Sequence, residues 1–178
     1  MKLRAATLAA LAVGCWCHAA EPVDALIDNG GFENGLDGWT VRVGSGAVAA
    51  PEAAHDGQAG LRIPMAEKMS IQAASVPVDF GKKYRISFWV RGIASIPMSL
   101  NLGFRNDSGK YIEADAPNDF KLTLPTGSEW QHYTREFVPP DGAASLQVGF
   151  STWMPPGKTG STPIDVDAVV LEEIGEAN

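Results

Sequence analysis

Two carboxylates in short motifs, two tryptophans at strand-alternating positions and a scatter of Arg, Asn and Gln are the side chains of this chain best suited to chemistry. Glu33 stands in Asn29-Gly30-Gly31-Phe32-Glu33-Asn34-Gly35, just ahead of Leu36-Asp37-Gly38-Trp39. Asp167 stands in Ile164-Asp165-Val166-Asp167-Ala168-Val169-Val170-Leu171. Trp89 lies in Tyr84-Arg85-Ile86-Ser87-Phe88-Trp89-Val90-Arg91, and Trp153 ends a second alternating run. A tryptophan offers a large apolar ring with one polar handle. Arg, Asn and Gln present donors in fixed planar geometry. Such a set suits a ligand that is apolar on one side and hydroxyl-rich at its edge, as a sugar ring is.

Catalysis finds little support. After the leader, only His55 and His132 remain as histidines, and no cysteine remains. There is no nucleophile elbow and no zinc-ligand spacing. Glu113-Ala114-Asp115 could place two carboxylates on one strand face as an acid–base pair. Asn118 stands where a third acid would complete the glycosidase pattern. His132, beside Tyr133, reads as a surface residue.

Short apolar–polar alternations, recurring near every ten residues between Gly, Pro, Asn and Asp, must position these groups. They predict an all-β fold, a sandwich of two antiparallel sheets. Strands are expected near 39–43, 59–64, 69–79, 83–92, 97–105, 129–138, 144–153 and 163–172. The Ala-rich pieces at 47–50 and 53–54 are too short to outweigh their flanking breakers.

Alternation separates two faces. Tyr84, Ile86, Phe88 and Val90 oppose Arg85, Ser87, Trp89 and Arg91. Met98, Leu100, Leu102 and Phe104 oppose Ser99, Asn101, Gly103 and Arg105. Leu146, Val148, Phe150 and Thr152 oppose Gln147, Gly149, Ser151 and Trp153. The apolar members belong in the core. If the three strands share a sheet, Trp89, Trp153, Arg85, Arg91, Asn101, Arg105 and Gln147 form one ligand-binding face. The loop Met154-Pro155-Pro156-Gly157-Lys158-Thr159-Gly160 would wall it. Trp39 and Trp130 are expected to pack structurally.

The first twenty residues read as a secretory signal: Lys2 and Arg4, then an apolar run from Ala5 to Val13, then Cys17-His18-Ala19-Ala20 for cleavage. Residues 21–178 would form the single mature domain. An alternative reading takes Ala12-Val13-Gly14-Cys15 as a bacterial lipoprotein box with a lipid anchor on Cys15. Both cysteines lie in this leader, so the folded domain needs no disulfide. No other stretch is long and apolar enough to span a bilayer. Net charge is −7 and becomes −9 without Lys2 and Arg4. With no basic run carrying interleaved aromatics, nucleic acid is not an expected partner.

In this order and spacing, the four motifs (with Trp130-Gln131-His132-Tyr133 as the fourth) resemble the carbohydrate-binding modules of families 4, 9 and 22. Those are galactose-binding-like jelly rolls, and the resemblance covers roughly residues 25–175. It implies glycan binding in a concave sheet-face cleft without cleavage. It also implies a structural calcium ion held by Glu33 and Asp167. The turn His55-Asp56-Gly57-Gln58-Ala59-Gly60-Leu61 would add ligands, Asp56 among its residues. Ala168 departs from the pattern, since a second acid is common there. The expected protein is secreted or periplasmic, or else lipid-anchored at the cell envelope. Two rivals remain: a jelly-roll interaction module without a sugar site, and a small glycan-active enzyme.

Overall fold

The computed structural model describes residues 25–64, 68–92, 98–113, 121–124, 127–153 and 163–177; side chains are described for these except 121–124 and Trp153. The leader, including Cys15, lies outside them, as do Asp115, Asn118 and the loop 154–160.

Two antiparallel sheets form the sandwich. One contains β1 (Trp39–Val43), β4 (Lys68–Ala73), β10 (Ser145–Trp153), β7 (Met98–Arg105) and β8 (Lys121–Leu124), in that order, with short β5 (Val76–Pro77) pairing the start of β10. The other runs β2 (Val48–Ala50), β3 (Gly60–Ile63), β11 (Ile164–Glu176), β6 (Lys82–Arg91) and β9 (Gln131–Phe137). We call them the six-stranded and five-stranded sheets. A single 3-10 turn, Pro51–Ala53, is the one helical element among the described residues.

The inward side of every alternating strand fills the space between the sheets. Phe88 from β6 meets Phe150 from β10 edge-on, with ring centroids 5.1 Å apart. Phe104 from β7 meets Phe137 from β9 at 6.0 Å. The expected core residues Tyr84, Ile86, Phe88, Val90, Leu100, Leu102, Phe104, Val148 and Phe150 are all buried. Trp39 is buried as well, stacked near Phe150, with its indole N–H donating to the Asn29 carbonyl. Burying a side chain of this size stabilises the fold by roughly 1.5–3 kcal/mol.

The segment before β1 is bound to the last strand. Leu26 N–H donates to the Leu171 carbonyl, and Val169 N–H donates to the Gly30 carbonyl at 2.9 Å. A Cβ on Gly30 would collide with the Val169 carbonyl, so glycine is required for this approach. The contact carries Glu33 toward the same side of the molecule as Asp167.

Candidate functional site

The outward side of the six-stranded sheet forms an uncharged polar strip. Its rows follow from the register. Ser70 and Ser99 flank Ser151; Gln72 and Asn101 flank Gly149; Gln147 faces Gly103. All except Gly149 are half-buried, as expected for groups on an open sheet face. Asn101 donates from Nδ2 to Ser151 Oγ at 2.9 Å, and Gln147 donates from Nε2 to the Ala73 carbonyl at 3.3 Å. These bonds fix the amide planes. Fixed amides and hydroxyls in cross-strand rows can pair with successive ligand hydroxyls.

An aromatic ring joins this strip from outside the strand pattern. Tyr111 bridges Arg105 just beyond β7, and its ring lies 3.8 Å from where a Cβ of Gly103 would stand. The ring thus lies over the outward side of Gly103, at ordinary van der Waals distance from that position. Tyr111 remains 54% exposed. Sequence reading passed it over because it follows the turn at 106–109 and belongs to no alternation. The available signal was a glycine within a strand, which often marks close approach by another group.

The expectation of one shared face is corrected here. Trp89, Arg85 and Arg91 are on β6 of the five-stranded sheet, whereas Asn101, Arg105, Gln147 and Trp153 are on β7 and β10 of the six-stranded sheet. Alternation gives the parity of a strand, not its sheet, and both sheets of a sandwich have a polar outer side. Trp153 is the last residue of β10, in register with Lys68. Its side chain, and the loop expected to wall the cleft, fall outside the described residues.

Trp89 also differs from an open platform. His55 stacks on it with ring centroids 3.9 Å apart and planes 13° apart, and His132 lies 4.8 Å from it. Trp130 meets His55 edge-on, and the Arg91 guanidinium sits over Trp130 at 4.6 Å. Trp130 therefore packs at the strand end, as expected. Arg91 joins Arg62 in pairing with the buried carboxylate of Asp165, at 3.1 and 2.9 Å. Both arginines also donate to the Glu52 carbonyl.

Farther along β6, Arg85 lies between Glu136 and Glu172, at 3.5 and 3.3 Å. The open trough there, about 650 Å³, is lined by Ser87, His132 and Thr134 among others. Lys83, hydrogen-bonded to Glu136, acts with Arg85 to hold that carboxyl below its ordinary pKa.

Glu33 and Asp167 converge on one turn. Glu33 Oε1 accepts from the N–H groups of Gln58 and Ala59, at 2.8 and 3.3 Å. Asp167 Oδ2 accepts from the N–H groups of His55 and Asp56, at 2.7 and 3.0 Å. Asp167 is the last residue paired with β6, opposite Trp89, before a register shift in which Ala168 takes φ 49° and β11 turns locally. Asp167 is 1% exposed. Neither carboxylate has a cationic side chain paired with it among the described residues. Asp167 Oδ1 accepts in turn from the N–H of Ala168, at 2.6 Å, so backbone donors meet both of its oxygens. Asp56 Oδ1 accepts from the next N–H, at Gly57, at 2.9 Å. No three His, Cys, Asp or Glu side chains group as a metal set among the described residues.

The class of the molecule is thus a two-sheet antiparallel β-sandwich with one polar sheet face flanked by Tyr111. The family profile described as "Carbohydrate binding domain", of module families 4 and 9, matches residues 24–159, and the chain belongs to that family. Solved structures show the same fold. A family 16 carbohydrate-binding module has a TM-score of 0.64 at 20% identity, covering 82% of this chain and 98% of that one. The CBM22-1 xylan-binding domain of Paenibacillus barcinonensis Xyn10C has a TM-score of 0.59 at 18% identity, covering 89% and 100%. TmCBM61, solved with β-1,4-galactotriose, has a TM-score of 0.57 at 17% identity, covering 84% and 99%. The sequence matches no curated protein.

Proposed function

We propose that this protein is a secreted or periplasmic, non-catalytic module that holds a polysaccharide along the outer side of its six-stranded sheet. Tyr111 is the observation that carries the reading. A half-exposed ring laid against a side-chain-free sheet position, beside the fixed amide of Gln147, offers stacking and hydrogen bonding together. Asn101 and Gln147 orient ligand hydroxyls, and Trp153 ends the same strand as Gln147. Trp89 packs beneath His55 and takes no part. Calorimetric titration with a polysaccharide panel tests this. Tyr111→Ala should weaken the best ligand by roughly 1–2 kcal/mol, the scale of partly burying an aromatic ring. Wild-type affinity in both Tyr111→Ala and Asn101→Ala would refute this location.

The same reading includes a structural calcium ion at Glu33 and Asp167. Bound there, it would supply the positive charge that the two carboxylates lack and fasten the 55–59 turn to β11. An ion bound only by the native state raises stability by mass action, about 2.7 kcal/mol at a hundredfold excess over its dissociation constant. Chelator should lower the melting temperature, and Glu33→Gln should abolish most of that response. A melting curve indifferent to chelator would remove calcium from the account.

A further inference from the structure

The charges of this chain are divided between its two sheets. The strands of the six-stranded sheet contain Arg42, Lys68, Arg105 and Lys121 and no Asp or Glu. The strands of the five-stranded sheet contain six acids and six bases. Every ion pair formed among the described residues joins strands of that second sheet. The five-stranded sheet thus neutralises itself. The six-stranded sheet keeps its cations without acidic partners on its own strands, within a chain of net charge −7.

The cations also frame the polar strip. Lys68 and Arg105 occupy opposite ends: one is in register with Trp153 and the other with Ser145. Eight residue steps along β10 separate those positions, a span of about 27 Å at roughly 3.4 Å per residue. Arg42 lies in the β1 bulge beside Ser70, and Lys121 is in register with Asn101 on the other side. Lys68, Arg42 and Arg105 are exposed. The next acids after β7, Asp107 and Glu113, are in the connection that follows it. Positive charges spaced along an uncharged hydroxyl-binding strip attract a ligand with repeating anionic groups.

We propose that the ligand is an anionic polysaccharide, with carboxylate or sulfate groups placed along its chain to meet these cations. This rests on the glycan face proposed above and names the ligand class for it. A neutral ligand would draw nothing from Lys68, Arg42 and Arg105, and a small anion would engage one end only.

The test uses affinity measurements with paired polymers: polygalacturonate against its fully methyl-esterified form, and a sulfated galactan against its desulfated form. The expected result is at least tenfold tighter binding to one charged member than to its neutral pair. That preference should shrink as salt is raised toward 0.5 M, because the screening length falls to a few ångströms. Preference for polygalacturonate assigns a carboxylate, and preference for the galactan assigns a sulfate. Lys68→Met and Arg105→Met should each weaken the charged polymer by roughly threefold to fivefold, the range of an exposed ion pair.

Equal or tighter binding of the neutral members overturns the charge assignment while leaving the carbohydrate face standing. Charged-polymer binding that survives Tyr111→Ala, Lys68→Met and Arg105→Met unchanged overturns the face itself. Equal affinity for single-stranded DNA overturns the glycan class in favour of a general polyanion. Failure to bind either charged polymer overturns the anionic assignment, and only a wider polysaccharide panel in which nothing binds overturns the glycan face.

Discussion

Phe88 and Trp89 are adjacent in sequence and have opposite roles in the structure. Phe88 is 1% exposed between Tyr133 and Phe150, whereas Trp89 is half-buried on the outer side of β6. Phe88→Ala should cost about 3–5 kcal/mol, since it removes a large ring from a packed core and leaves a cavity. Chemical denaturation measures this, and a loss below 1 kcal/mol would contradict the packing. Trp89→Ala should behave differently from an open-platform mutation. It removes the partner on which His55 and His132 rest, so it should cost roughly 1–3 kcal/mol of stability while leaving glycan affinity unchanged. That cost lies within the usual range for single substitutions. A stable Trp89→Ala protein with lost binding would restore Trp89 to the site. Alternation alone distinguished these two residues correctly as inward and outward. It could not show that His55, remote in sequence, stacks on Trp89. Nor could it find Tyr111, which follows the turn at 106–109 and belongs to no alternation.

The strands were legible wherever period-two patterning ran for several residues, as in β6, β7 and β10. The expected span at 69–79 is two elements, β4 and β5, parted by Ala74 and Ser75. Two elements lacked any signal. β2 is Val48-Ala49-Ala50, too short and too poor in large side chains to alternate visibly, and β8 covers only Lys121–Leu124. Sheet membership was hidden for a deeper reason: both sheets need a wet outer side, so β6 and β10 carry the same pattern on opposite sides of the molecule. The ion-pair ladder on β6, β9 and β11 gives this level its own test. With the Glu136 carboxyl held below its ordinary value by Lys83 and Arg85, its pairs contribute stability above the unfolded pKa. That contribution is lost as pH falls through the lower folded value. An NMR titration should place the Glu136 midpoint below the unperturbed carboxyl value, and Lys83→Met should raise it. A midpoint that does not move in Lys83→Met would contradict the pairing.

At the scale of the whole molecule, the sandwich separates two tasks. One sheet carries the ion pairs, the His55–Trp89 stack and the turn that Glu33 and Asp167 fasten. The other presents rows of amides and hydroxyls with an aromatic ring beside them. The motif order revealed the family and the two-sheet architecture, because packing and the Gly30 contact restrict those positions strongly. The side proposed to bind the ligand was harder to see, since a binding face answers to a partner outside the chain and leaves no packing pattern. Its location is the central claim, and an amide chemical-shift map recorded with the best-binding polysaccharide fragment tests it most directly. The largest shifts should fall on Ser70, Ser99, Asn101, Gln147 and Ser151, with Tyr111 at the margin. Shifts centred instead on Arg85, Ser87, Trp89, His132 and Thr134 would place the ligand on the opposite sheet and contradict the account.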